Sequence, residues 1–109
     1  MIKTVKQLEQ SRSSFRFEAR VWLYPEMAGW HFVSVPSEVS NRIDFSFGDR
    51  KRGFGSLPVV VTVGKTEWRT SIFPDKKSGC YLLPVKANVR KKEGISENDV
   101  IKIVIGIQK

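Results

Sequence analysis

The sequence predicts a mainly β protein: a small closed barrel with a pseudo-two-fold repeat and two short helices. Three observations predict it. Several short stretches alternate apolar and polar residues with period two, as strands with one buried face do. Clusters of Pro, Gly, Asn, Asp and Ser punctuate them. Only two stretches, each close after a proline, place apolar residues four apart as a helix does. Every long strand is apolar on at least one face. Closing the sheet buries that face and removes the edges.

In chain order, residues 1–13 are polar, without a convincing period, and read as an arm or strand lead-in. In FRFEARVWLY, Phe15, Phe17, Ala19, Val21 and Leu23 share one parity, against Arg16, Glu18 and Arg20. PEMAG then turns the chain, and WHFVSV is a second strand that would pair with the first as a hairpin. Pro36, Ser37 and Glu38 open a short helix whose buried face carries Val39 and Ile43. DRKRGFGS is a polar loop. LPVVVTVG and KTEWRTSIF form a hairpin across Gly64 and Lys65, with Trp68 and Ile72 on one parity. PDKKSG turns into the short strand CYLLP. VKANVRKKEG is the second helix, with Val85 and Val89 on one face and Gly94 as its stop. DVIKIVIGI is the last strand, with Ile101, Ile103, Ile105 and Ile107 facing one way.

The totals bound what this object is. A chain of 109 residues holds one domain with one core, here residues 14–109. No apolar run exceeds strand length, so a membrane partner is not expected. The N-terminal segment lacks a hydrophobic core followed by a small-residue cleavage site, so no secretory signal is expected. The single cysteine, Cys80, excludes an internal disulfide framework and points to a cytoplasmic setting. The net charge of +8 suggests a polyanionic partner, nucleic acid first among them. The same charge also serves plain solubility, and that is the weightier reading of the number alone.

Two segments echo each other. Pro36 and Pro84 each follow an apolar strand residue, Arg42 and Arg90 come six residues later, and Asp49 or Asp99 precedes a Val/Ile-rich strand. A strand–helix–turn–strand unit used twice is one reading, and chance similarity of two corners is the other.

The runs GWHFVSVPSEV, SIFPDKKSGCYLLPVKANVR and GISENDVIKIVI together resemble a small bacterial and archaeal domain of unknown function that occurs alongside YdeI/OmpD-associated proteins. The resemblance covers the chain from about Phe15 onward. It implies a double-split β-barrel, similar to the swapped-hairpin barrels of transition-state regulators and antitoxins that bind DNA. Asn98 stands where that family usually has Gly, and Asn tolerates the left-handed backbone this turn needs. The family has no established activity, so the resemblance implies a fold and no chemistry.

Candidate chemistry is sparse. Zinc sites need clustered Cys and His, and this chain has only Cys80 and His31, so no metal site or cofactor is expected. His31 reads as a structural strand residue, and Cys80 as a small buried hydrophobe. Glu38 and Asp44 do not share a helix face. GDRKRGFG lacks the G-K-[ST] ending of a phosphate loop. Asp99 suits a turn, bonding local backbone N–H groups. No nucleophile–base–orienter set is recognisable, so a catalytic residue is not expected and the protein reads as non-enzymatic.

Binding residues are easier to nominate. Arg50, Lys51 and Arg52, then Lys76 and Lys77, then Arg90, Lys91 and Lys92 form three basic clusters on loops or helix ends, suited to phosphates if they converge. Arg90 also reads as a scaffold residue tying its helix to a nearby carbonyl. Aromatics exposed for base stacking are not evident, because most fall on buried parities. The alternative is a small-molecule or peptide pocket lined by Trp22 and Tyr81. Trp30 and Trp68 are assigned to the core.

Overall fold

The computed structural model describes residues 14–27 and 29–107; the expected arm at 1–13 lies outside them. The described elements are β1 (Ser14–Arg20), β2 (Trp22–Leu23), β3 (His31–Ser34), α1 (Ser37–Phe47), β4 (Leu57–Val63), β5 (Thr66–Pro74), β6 (Tyr81–Pro84), α2 (Ala87–Glu93) and β7 (Val100–Ile107). The strands form one antiparallel sheet in the order β1-β7-β4-β5-β6-β3-β2, curled into a half-barrel.

The buried face is the one that the alternation marks. Val59, Val61 and Val63 of β4 pack with Ile101, Ile103, Ile105 and Ile107 of β7, joined by Phe15, Ile72 and Leu83. At about 25 cal/mol per Å² of apolar area removed from water, this seam is the main cohesive element. Val39 and Ile43 dock α1 against it, and Val89 docks α2. Gly94 ends α2 in the left-handed conformation (φ 65°), as a helix stop without a Cβ penalty does. Asn98 takes φ 75° in the next turn, and Asp99 Oδ2 accepts from the Ser96 N–H at 2.8 Å.

The first hairpin differs from expectation. Only Trp22 and Leu23 pair with β3, whereas all seven residues of β1 pair with β7. The switch occurs at Val21, whose N–H donates to Asp99 O at 2.8 Å and whose carbonyl accepts from Asn98 N at 2.7 Å. The apolar parity of β1 thus meets the isoleucine face of β7, which buries more than β3 offers. In the same way β5 pairs with β4 through Ile72, then with β6 at Phe73 and Pro74. The β1–β2 run thus supplies both edges of the curled sheet, and β5 joins its two halves at the centre.

The repeat exists with a different register from the echo in the sequence. Gly29 and Gly79 both have positive φ (82° and 75°). Strands start at His31 and Tyr81, and helices at Ser37 and Ala87. Val35 N donates to Tyr81 O while Val85 N donates to His31 O. Ser40 N donates to Pro36 O while Arg90 N donates to Lys86 O. Equivalent residues are therefore 50 apart, so Arg90 matches Ser40 and not Arg42, and Pro84 matches Ser34 and not Pro36. The prolines misled because each is near, but not at, the same point of its corner.

Several side chains depart from their expected environment. Trp30 is 50% exposed, because the strand begins one residue after it and Gly29 swings it outward. Trp68 is half-buried against the core, and its buried indole N–H has no hydrogen-bond partner among the described residues. Cys80 lies half-buried in the turn before β6. Phe45 and Phe54 are 94% and 100% exposed, and Phe73 is exposed as well, so aromatics available for stacking do exist.

Candidate ligand site

The β3–β6 ladder sits at the local two-fold, and a cleft opens at each end of it. His31 lies opposite Val85 at one end, and Tyr81 opposite Val35 at the other, about 13 Å along the strands at 3.3 Å per residue. The two clefts share an equivalent corner, Gly29–His31 in one and Gly79–Tyr81 in the other, with different chemistry around it.

The smaller cleft, about 220 Å³, is bordered by Asp44, Lys76 and Tyr81. Asp44, Tyr81 and the neighbouring Lys51 satisfy one another, while Lys76 has no ion-pair partner among the described residues. The Tyr81 hydroxyl donates to Asp44 Oδ1. Lys51 Nζ sits 3.0 Å from the same oxygen and 5.4 Å from the Tyr81 ring centroid. Burial pushes the Tyr81 phenol above its ordinary range, and its bond to the Asp44 carboxylate raises it further. Lys51 is raised by its bond to Asp44. Beneath them Ser40 Oγ donates to Val35 O at 3.0 Å and accepts from Tyr81 N at 3.1 Å.

A phenol whose folded pKa exceeds its unfolded one keeps its proton longer in the native state. Its contribution is complete below the unfolded pKa, about 10, and is lost as pH rises through the folded value. Lys51 acts in the same direction. Tyr81→Phe removes the phenol's share, so its stability should fall less steeply than that of the wild type between about pH 9 and 11. Urea unfolding across that range measures it. Parallel curves for the two proteins would show that the phenol does not carry the alkaline loss.

The larger cleft, about 410 Å³, lies between the Gly29–His31 corner, β5 and the start of α2. Trp30 and Phe73 form its aromatic walls, and Pro84, Val85 and Ala87 its apolar floor. Phe32 packs tilted against Trp30 (centroids 5.9 Å apart) and Trp22 (5.4 Å), and edge-to-face with Tyr24 (5.8 Å). Arg90 reaches in from α2 and Lys86 stands at the rim. Arg90 Nε donates to Val85 O at 3.1 Å, the counterpart of the Ser40 bond. Its Nη1 lies 3.5 Å from His31 Nε2, and its Nη2 lies 3.5 Å from Gly29 O. Because Gly29 O can only accept, His31 Nδ1 carries the hydrogen at 2.9 Å, and Nε2 presents a lone pair to Arg90.

None of the three Arg90 partners is a carboxylate. Among the described residues the one ion pair is Lys51–Asp44, so Arg90 has no carboxylate partner there. A half-buried guanidinium against apolar walls interacts with an anion more strongly than a surface cation does, because the local dielectric is lower. Its planar fork suits a carboxylate or phosphate.

The sequence-nominated residues are distributed as follows. Arg50, Lys51 and Arg52 follow α1, with the Arg50 guanidinium 5.4 Å over the Phe47 ring. Lys76 and Lys77 lie in the β5–β6 turn, and Lys76 lines the small cleft whose Asp44 and Tyr81 Lys51 contacts. Arg90, Lys91 and Lys92 are on α2 at the other end of the ladder. Two clusters therefore adjoin and the third stands apart. Trp22 lines neither cleft: its Nε1 donates to Ser34 Oγ at 3.2 Å within the aromatic stack. Tyr81 borders the small cleft. Trp30, a pocket candidate that the sequence favours for the core, lines the larger cleft, as do Phe73 and Lys86, which the sequence does not single out; a glycine just before Trp30, and Phe73 on the parity opposite Ile72, are the signals that point to exposure. Among the described residues no group of three His, Cys, Asp or Glu is placed to hold a metal ion. No helix among them is long and apolar enough to cross a membrane.

The family model DUF1905, a domain of unknown function, matches residues 17–105. The chain belongs to the DUF1905 family. The match spans β1 into β7 and so includes both clefts of this DUF1905 domain. No curated protein matches the chain.

Proposed function

We propose that this DUF1905 domain is a non-enzymatic binding module, and that the Trp30–Arg90 cleft takes a small organic anion with a flat or apolar body. One observation carries the reading. At one end of the ladder Asp44, Tyr81 and Lys51 satisfy one another, while the other end leaves a half-buried arginine with no carboxylate partner among the described residues, between two exposed rings. Burying an apolar ligand against Trp30 and Phe73 supplies affinity, and Arg90 supplies selection for an anionic group. Neither cleft joins a nucleophile to a free base, since both His31 nitrogens face neighbours of their own. In this reading the curl is completed as a double-split barrel. Its support is that the β1–β2 run and β5 occupy equivalent places about the β3–β6 ladder. A single free cysteine suits a reducing cytoplasm.

The test is a titration with aryl carboxylates, fatty acids and nucleoside monophosphates, followed by tryptophan fluorescence and thermal shift. At least one class should raise Tm and alter the fluorescence. Arg90→Met should weaken its binding by about 10–100-fold, the value of a charge-assisted hydrogen bond. Trp30→Ala should weaken it similarly. An Arg90→Met protein that binds as tightly as wild type would remove the anion from this proposal. Absence of any shift across the three classes would remove the cleft.

A further inference from the structure

The loop after α1 displays an aromatic ring in a way that packing does not explain. Phe54 is fully exposed and holds φ 61°, ψ 18°, a left-handed conformation that a bulky side chain resists. The turn that holds it is well bonded. Arg52 N donates to Ser56 O at 2.7 Å, Gly55 N to Arg52 O at 2.9 Å, and Ser56 Oγ to Gly53 O at 3.1 Å. Strained residues held by a surrounding network concentrate at functional sites. Here the strain brings no burial in return.

The surroundings are cationic. Arg50, Lys51 and Arg52 lead into the turn. A Cβ at Gly55 would stand 3.0 Å from Pro74 Cγ, so the turn packs directly against the end of β5, two residues before Lys76 and Lys77. The segments that carry two basic clusters and one exposed ring therefore adjoin. Three carboxylates are near. Asp44 is engaged by Lys51 and Tyr81, and Asp75 accepts from Ser78 Oγ at 2.7 Å, so that Asp49 alone of the three has no partner among the described residues.

We infer that this face, with Phe54 at its tip and Arg50, Arg52, Lys76 and Lys77 around it, binds single-stranded nucleic acid, a base stacking on Phe54 and phosphates on the cations. A single strand offers both features required, an unpaired flat base and a regularly charged backbone. An anionic membrane would meet the charges. It would gain only one inserted ring, however, since Gly53, Gly55 and Ser56 flank Phe54, and stable anchoring needs more apolar surface. Duplex DNA keeps its bases stacked away from an exposed ring. The site is separate from the Trp30–Arg90 cleft and does not depend on it.

The deciding variant is Phe54→Gly. Glycine adopts positive φ without strain, so Tm should be unchanged or higher. Affinity for labelled single-stranded DNA or RNA, read by fluorescence anisotropy, should fall by about 5–150-fold, the range for one stacked base. In the Arg50→Ala/Arg52→Ala double variant, the slope of log affinity against log salt should become shallower by about 1.4. Phe54→Gly binding single strands as tightly as wild type would overturn the inference. So would equal affinity for duplex and single strand, or binding to phosphatidylserine vesicles without binding to oligonucleotides.

Discussion

Ser40→Ala should destabilise the domain by about 2–4 kcal/mol, although it removes one oxygen atom. Ser40 is 1% exposed and bridges Val35 O and Tyr81 N. Alanine leaves a buried carbonyl and a buried N–H short of that partner, each costing about 1–3 kcal/mol when unmet. The equivalent residue gives the contrast. Arg90 makes the same bond to a strand carbonyl, but from a half-exposed position where water can substitute. Arg90→Ala should therefore cost no more than about 1.5 kcal/mol. Urea denaturation of both variants measures the difference. Equal losses would mean that water reaches the Ser40 bridge and that the two ends of the ladder are not distinct. Unequal losses would support the division proposed here, one end structural and the other free to bind.

Ile105→Ala should cost about 2–5 kcal/mol, the range for removing a large buried aliphatic side chain. Ile105 is fully buried on β7, paired with Phe15 on β1 and Val61 on β4. Its neighbour Val104 points to the other face, half-buried beside Arg16 and Thr62. Val104→Ala should cost under about 1.5 kcal/mol. A domain of this size has roughly 5–15 kcal/mol of stability in all, so Ile105→Ala should lower the urea midpoint strongly with the m-value unchanged. Similar costs at 104 and 105 would contradict a sheet with one buried face.

The two helices show how far local chemistry reaches. Gly94, Asn98 and Asp99 take the conformations their side chains favour, and each was readable because the controlling interaction lies within a few residues. The candidate ligand site was less readable. Arg90 was nominated, both as a phosphate contact and as a tie to a carbonyl, and it makes that tie. Trp30 was assigned to the core because strand parity was carried one residue too far. Phe54 was passed over because a loop has no parity from which exposure can be read.

By itself the sequence determined the mainly β class, the two helices, the buried parity of β4 and β7, and the turns that end each element. These depend on period-two alternation, apolar spacing along a helix and the backbone preferences of Gly, Asn and Asp, all local. Tertiary structure alone decided that β1 pairs with β7 instead of folding back wholly on β3. It also decided that the repeat runs at 50 residues, that Lys76 joins Lys51 at one cleft, and that Arg90 stands at the other without a carboxylate. Those outcomes depend on which apolar faces bury the most area together and on which charges then fall within reach, and both are fixed only when distant segments meet.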